Sequence, residues 1–172
     1  TGVLILGTGP DTKKLSNIAS SNKTYVADLT LGIETDTLDC DGNIISKNKT
    51  PELSQELVKD VLSKFKGVNK QIPTMYSAKK INGVRLYKLA RQNKTIERDP
   101  VDINILEIQL VKFKSSIITF KVKCSKGTYV RVFGTHLAIK VGTVGPFSSL
   151  IQTRIGSYNI DESKSIEEII AL

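Results

Sequence analysis

The 172-residue sequence is poor in the features that mark several classes of protein. It has one histidine and two cysteines, and no apolar run approaches the roughly 20 residues that a membrane-spanning helix needs. The apolar stretch Gly2–Leu6 is short and follows no basic segment, so it does not resemble a signal peptide. Cys40 and Cys124 match no metal-ligand or redox spacing, and two thiols do not indicate a disulfide scaffold. We expect no membrane partner and a reducing, cytoplasmic setting.

The scarcity of histidine also argues against familiar catalytic sites. His136 has no second metal ligand near it in the sequence, so neither a metal site nor a Ser-His-Asp triad is expected. The Gly7–Gly9 turn lacks the further residues of a dinucleotide or P-loop motif. Carboxylates cluster between Glu34 and Asp41, but not in the ligand order of an EF-hand. Asp39–Gly42 is interpreted as a hairpin turn, whereas Asp36 precedes the turn and could point toward a ligand.

The net charge of +8 is unevenly distributed. Residues 28–60 contain eight acidic residues against three lysines, whereas residues 64–98 contain ten basic residues and one acid. A segment of one sign is typical of proteins that bind a phosphate backbone. Lysines that only maintain solubility are the alternative, and composition leaves both interpretations open.

Hydrophobic spacing predicts an α+β fold, with helices flanking a mixed, largely antiparallel sheet. The predicted strands are residues 3–6, 25–33, 44–45, 101–112, 116–124 and 147–154. The predicted helices are residues 12–18, 51–66, 86–92, 133–140 and 163–172. Thr50 is the expected cap of the second helix, and residues 68–83 are expected to be irregular.

The basic stretch 73–91 contains Tyr76 and Tyr87 among its cations. Basic side chains bind phosphates while aromatic rings stack on unpaired bases, so this composition favours an RNA-binding segment. A solvated loop with two partly buried tyrosines is the alternative.

The stretch Cys124–Arg131, CSKGTYVR, follows a strand pattern. If that alternation continued past Gly127, Tyr129 and Arg131 would project side by side from the polar face of the strand.

Three motifs together resemble the TruB family of tRNA pseudouridine synthases. They are KTYVADLTLGIETDTLDCDG (23–42), PTMYSAKKINGVRLYKLAR (73–91) and CSKGTYVR (124–131). The resemblance runs from Thr1 to about Tyr158. It implies that uridine 55 in the tRNA T loop is flipped into a pocket and isomerised to pseudouridine, without a metal or an organic cofactor. It also implies a pseudouridine synthase catalytic domain over residues 1–172, incomplete at its amino end, with an RNA-clamping insertion at about 68–98.

The resemblance assigns roles to individual residues. Arg131 would pair with the catalytic aspartate, and Tyr25 would stack on the base and support the reaction. Asp36, Tyr129 and Leu150 would complete the substrate pocket with Tyr25. The residues expected to bind RNA are Lys79, Lys80, Arg85, Tyr87, Arg91, Lys126 and Arg154.

The chain departs from the family pattern in ways that matter for function. The catalytic aspartate belongs to a G-T-L-D-P motif that would precede Thr1, so we expect this chain alone to be inactive and Arg131 to lack its carboxylate. A tight pair between Arg131 and another carboxylate would count against that assignment, because the guanidinium would already have a counter-charge. The usual L-R-R-T pattern reads Leu150-Ile151-Gln152-Thr153, which weakens expected phosphate contacts. The usual acidic residues after Arg131 and the carboxy-terminal RNA-binding extension are also missing.

Two alternatives stay open from the sequence. One is a non-catalytic RNA-binding remnant or RNA chaperone of the same fold. The other is a relative of archaeal or eukaryotic type that is guided by a separate RNA. The sequence also leaves ribosomal RNA open as the target. We expect a monomer.

Overall fold

The computed structural model describes residues 1–37, 39–81 and 83–171. Its strands are β1 (Lys23–Thr30), β2 (Ile33–Thr35), β3 (Ile44–Lys47), β4 (Gly67–Gln71), β5 (Lys80–Ile81), β6 (Val84–Arg85), β7 (Val101–Lys114), β8 (Ile117–Cys124), β9 (Phe147–Ile155) and β10 (Tyr158–Asn159). Its α-helices are α1 (Leu15–Ser20), α2 (Gln55–Ser63), α3 (Leu86–Ala90), α4 (Val130–Lys140) and α5 (Ile166–Ile170). Short 3₁₀ helices occupy Gly9–Lys14 and Ile160–Glu162.

The main sheet has six strands in the order β10-β9-β1-β8-β7-β4, and neighbouring strands are antiparallel. The strands β2 and β3 form one separate hairpin, and β5 and β6 form another. This architecture confirms the predicted α+β class. No helix among the described residues is long and apolar enough to cross a membrane.

The core lies between one face of the sheet and the helices α2 and α4. Alternation along β1 places Ala27 opposite Phe120, and both side chains are buried. The ring of Phe133 on α4 makes edge-on contacts with Phe65 and Phe120, at centroid distances of 4.8 and 5.5 Å. These aromatic contacts fix α4 over the centre of the sheet, and the candidate site lies at the beginning of that helix.

The long apolar patterns predicted their elements well, because periodic burial is the strongest local signal. The strands β7, β8 and β9 lie within a few residues of their predicted ranges. The helix α2 begins later than predicted, because Ser54 is its cap: the Ser54 hydroxyl accepts a hydrogen bond from the Leu57 amide at 3.1 Å. Thr50 is therefore not the cap.

Two weaker patterns gave wrong predictions. Residues 3–6 do not form a buried strand: Val3 is buried, but Leu4 and Leu6 are 78% and 77% exposed. The first residues of the predicted irregular segment belong to β4, an edge strand that pairs with β7 between Val101 and Ile105. Its polar sequence carries no strand period, so only the pairing with β7 reveals it.

The motif CSKGTYVR does not continue the strand. The strand β8 ends at Cys124, and Gly127 adopts a positive φ of 80° in the turn that follows. Tyr129 then stands at the amino-terminal cap of α4, and Arg131 lies in its first turn. The prediction that Tyr129 and Arg131 project side by side from a strand is therefore wrong.

Candidate active site

The beginning of α4 brings Arg131 next to a carboxylate from a distant part of the chain. Its Nη1 atom lies 3.1 Å from Oδ2 of Asp39, and the two side chains are 46% and 26% exposed. Asp39 belongs to the turn between β2 and β3. That turn is attached to β9 by a hydrogen bond from the Cys40 amide to the Phe147 carbonyl at 2.8 Å. The hydroxyl of Thr37 also donates to Oδ1 of Asp39, at 2.7 Å.

The expectation that Arg131 has no carboxylate in this chain is wrong. It failed because Asp39 was interpreted only as a turn residue, whereas the attachment of the hairpin to β9 carries it to α4. The pair is half-exposed, so it is not a closed, buried ion pair. Because a guanidinium has several N–H donors, Arg131 retains donors for a second anionic group.

A cavity of about 380 Å³ opens beside this ion pair. Its lining comes from the chain start, the β2–β3 turn, α4 and β9: Thr1, Asp39, Cys40, Asp41, Arg131, Phe147, Ser148, Ser149 and Leu150. Of the predicted site residues, the structure therefore brings the supporting catalytic residue Arg131 and the pocket residue Leu150 to the same cavity.

The first residues of the chain are held against β9 at the cavity. The main-chain nitrogen of Thr1 donates to the Leu150 carbonyl at 3.2 Å, and the Val3 amide donates to the Gln152 carbonyl at 2.8 Å. The Gln152 side chain adds a bond to the Val3 carbonyl at 2.9 Å. Gln152, which replaces the second arginine of the L-R-R-T pattern, therefore makes a structural contact with the beginning of the chain.

The two predicted pocket tyrosines lie close to this region but not in the described lining of the cavity. Tyr25 is half-buried on β1, opposite Val122 on β8, and its ring packs against the core. Burial raises the pKa of Tyr25 to about 12, with a smaller contribution from Cys124, so its phenol is neutral at physiological pH. Tyr129 is half-buried, and its main-chain amide and carbonyl are both bound to the side chain of Gln71.

Asp36 is exposed and serves the β2–β3 hairpin. Its carboxylate accepts hydrogen bonds from the main-chain amide and the side-chain amide of Asn43, at 3.0 and 3.2 Å. The structure does not place Asp36 in the lining of the cavity, so its role in the pocket stays a prediction.

The basic segment presents an aromatic ring between two arginines. The Cζ atom of Arg91 lies 5.5 Å from the centre of the Tyr87 ring, and Nη1 of Arg85 lies 3.5 Å from the Tyr87 hydroxyl. The hydrogen bond from Arg85 lowers the pKa of Tyr87. Lys80 pairs with Arg85 across the β5–β6 hairpin, which groups these cations, and Lys79 immediately precedes Lys80.

The last two predicted RNA contacts lie elsewhere. Lys126 is exposed in the turn after β8. Arg154 pairs in register with Thr24 on β1, so it lies on the sheet face opposite to Tyr25. There it lines a larger depression together with Lys121 and Lys123.

Two residues of the region were missed from the sequence. Asp39 carries a signal, since it stands in the motif KTYVADLTLGIETDTLDCDG (23–42) quoted above. Gln71 carries none, because its contact with Tyr129 joins residues 58 positions apart. Among the described residues, no group of three or more His, Cys, Asp or Glu side chains is arranged to hold a metal ion.

Comparisons with known proteins bear on this geometry. Residues 1–130 match the model of the TruB family pseudouridylate synthase N-terminal domain. The chain is 43% identical over 170 residues to tRNA pseudouridine synthase B of Francisella philomiragia. The aligned region covers 98% of this chain and 56% of that protein. It is 42% identical over 169 residues to the protein of the same name from Hydrogenovibrio crunogenus, with the same coverage of both chains. The chain thus spans about half the length of these relatives.

The fold is also similar to a solved structure. A chain in the crystal structure of a Cbf5-Nop10-Gar1 complex superposes with a TM-score of 0.61 at 19% identity, over 87% of this chain and 35% of the other. At that identity the likeness shows the shared fold. The family model covers most of the chain and the close relatives cover nearly all of it, so the chain belongs to the TruB family of pseudouridylate synthases.

Proposed function

We propose that this protein isomerises a uridine of tRNA to pseudouridine, and that the target is uridine 55 in the T loop. The observation that carries the proposal is the cavity in which Arg131 lies beside Thr1 and Leu150. In this reaction the bond from N1 of uracil to C1′ of the ribose breaks and a bond from C5 to C1′ forms. The C5 proton is lost and N1 gains a proton, so the reaction is redox-neutral.

The catalytic aspartate would enter the cavity from the chain that precedes Thr1. In the family pattern this aspartate stands a few residues before the Thr-Gly-Val-Leu stretch. Thr1 lines the cavity, and an extended chain covers about 3.3–3.6 Å per residue, so a carboxylate there is within reach of Arg131. The guanidinium would then bind two carboxylates: that of Asp39, through Nη1, and that of the catalytic aspartate.

The remaining pocket residues would receive the flipped base. The neutral phenol of Tyr25 offers a ring for stacking without adding an anion next to the catalytic carboxylate. Leu150 supplies an apolar wall, and Tyr129 stands at the cap of α4, two residues before Arg131. Asp36 would act by holding the hairpin that carries Asp39.

The basic segment at about residues 68–98 would clamp the RNA. Arg85, Tyr87 and Arg91 form the arrangement expected of a site that binds a phosphate and stacks on an unpaired base. Lys79 and Lys80 extend the positive surface, while Lys126 and Arg154 would make separate contacts. We propose that residues 1–172 belong to one catalytic domain that is incomplete at its amino end, that the protein works as a monomer in the cytoplasm, and that its partner is the T stem-loop of tRNA.

The proposal is tested with the full-length protein and tRNA that carries tritium at C5 of its uridines. We expect the release of one tritium per tRNA, and none from a transcript in which uridine 55 is replaced by cytidine. Release that persists with the cytidine transcript would contradict the assigned target.

Binding without reaction would favour the second candidate, an RNA-binding protein without catalysis. Filter binding of the same tRNA, measured in parallel, separates the two: tight binding together with no tritium release would overturn the proposed activity.

A further inference from the structure

Gln71 makes a two-point contact with the main chain of Tyr129. Its Nε2 atom donates to the Tyr129 carbonyl at 2.9 Å, and its Oε1 atom accepts from the Tyr129 amide at 2.7 Å. The side chain of Gln71 is only 2% exposed, although it ends the edge strand β4. A buried amide with both polar atoms satisfied by one main-chain unit is a specific contact, because an unsatisfied partner on either side would be costly.

This contact fixes the residue at which α4 begins. Tyr129 is the amino-terminal cap of α4, and its carbonyl also accepts the helical hydrogen bond from Phe133 at 3.1 Å. The two hydrogen bonds from Gln71 therefore hold the main chain just before the first helical turn. Arg131 lies in that turn, and its guanidinium reaches Asp39.

Gln71 also stands where the basic segment leaves the sheet. It is followed by Ile72 and the buried Pro73, and the chain then enters the stretch that contains Arg85 and Tyr87. The same amide side chain thus joins the base of that segment to the beginning of α4.

We propose that Gln71 is a positioning residue for the reaction: its contact with the Tyr129 main chain sets the direction in which Arg131 faces the cavity. The inference rests on the proposed function. It assigns Gln71 no contact with substrate and no proton transfer. Its effect reaches the reaction through Arg131.

The test uses the full-length protein with Gln71→Met, which keeps the length of the side chain and removes both hydrogen bonds, and with Gln71→Glu, which keeps the acceptor and removes the donor. Because a displacement of about 1 Å can cost on the order of 100-fold in rate, we expect kcat to fall about 10- to 100-fold in Gln71→Met, with KM changed less than about threefold. We expect at least as large a loss of kcat in Gln71→Glu, because a buried carboxylate oxygen would face the Tyr129 carbonyl.

Asn69→Leu is the matched control. Asn69 lies on the same strand, and its amide binds the carbonyls of Phe65 and Gly67 at 2.7 and 2.9 Å, away from Tyr129. This variant should lose thermal stability but keep the wild-type kcat per folded molecule. An unchanged kcat in folded Gln71→Met, or an equal loss in Asn69→Leu, would overturn the inference.

A variant cycle distinguishes positioning through Arg131 from a general structural effect. With Arg131→Lys as the second change, the combined loss of kcat should be clearly smaller than the product of the single losses, because both changes disturb one arrangement. Multiplicative losses would overturn the inference.

Hydrogen exchange of the wild-type Tyr129 amide provides a test that needs no variant. The amide should exchange slowly, as expected for a donor to Gln71, and fast exchange would show that the contact is absent. If the wild-type protein binds tRNA without turnover, the proposed function fails and this inference fails with it. Normal wild-type turnover with unaffected Gln71 variants would overturn this inference alone.

Discussion

The guanidinium of Arg131 and the carboxylate of Asp39 meet at 3.1 Å, although 92 residues separate them in the chain. Arg131 comes from the first turn of α4 and Asp39 from the β2–β3 turn. The main sheet positions both, because α4 packs on it and the turn is bound to its strand β9. Both side chains remain partly exposed, so the pair should contribute less than about 1 kcal/mol to the free energy of unfolding.

We therefore predict that Asp39→Asn lowers turnover much more than stability. Loss of the carboxylate removes the group that orients Arg131, and we expect kcat to fall on the order of 10- to 100-fold with a change in Tm of only a few degrees. Single-turnover tritium release and thermal unfolding measure the two effects.

Glu107→Gln is the control for this prediction. It breaks the exposed pair between Lys123 and Glu107, whose atoms lie 2.7 Å apart on the sheet face that carries Arg154. Turnover should be unchanged in this control. An equal loss of kcat in both variants would mean that the position of Asp39 has no special importance.

Elements that depend on local sequence patterns could be predicted, whereas contacts between residues far apart in the sequence could not. The strands β7 and β8 are set by local alternation, and the sequence indicates them directly. The partner of Arg131 depends on how the β2–β3 hairpin lies on β9, which no local pattern encodes. The same holds for the contact of Gln71 with Tyr129. The strand alternation ends at the turn that contains Gly127. The direction of the Arg131 side chain is therefore set by the beginning of α4, which the alternation does not reveal.

The basic segment makes a prediction about salt dependence. Arg85→Ala and Arg91→Ala should each weaken tRNA binding, and each should reduce the steepness of the salt dependence by roughly 0.7–0.9 in log Kd per log salt if the residue contacts a phosphate. Filter binding over a range of salt concentrations measures both quantities. Lys59→Ala removes one exposed charge from α2, outside the segment, and should leave the slope unchanged. Equal slopes for all three variants and the wild type would argue against phosphate contacts by the arginines.

Tyr25 should ionise at a clearly higher pH than Tyr87. Burial raises the pKa of Tyr25 from 10.0 to about 12, whereas the hydrogen bond from Arg85 lowers the pKa of Tyr87. In an ultraviolet absorbance titration, Tyr87→Phe should remove a component that ionises below the ordinary tyrosine pKa, and Tyr25→Phe one that ionises near pH 12.

The raised pKa of Tyr25 also has a consequence for stability. A group whose pKa is higher in the folded state stabilises that state fully below its unfolded pKa near 10, and this contribution is lost as the pH rises through about 12. The wild-type protein should therefore lose stability more steeply than Tyr25→Phe between those values. Parallel curves of Tm against pH would contradict the raised pKa of Tyr25.

Gly134 on α4 makes a prediction in which two effects oppose each other. Alanine in a helix interior is normally favoured over glycine by about 1 kcal/mol. At Gly134, however, an added Cβ would lie 2.5 Å from Cζ of Phe147, whose ring is buried against Phe120. Overpacking of this kind costs about 1–3 kcal/mol, so Gly134→Ala should lower the free energy of unfolding in urea. In a Phe147→Leu background the smaller side chain leaves room, and the same change should be neutral or stabilising. A stabilising Gly134→Ala in the wild-type background would show that Phe147 moves aside at little cost.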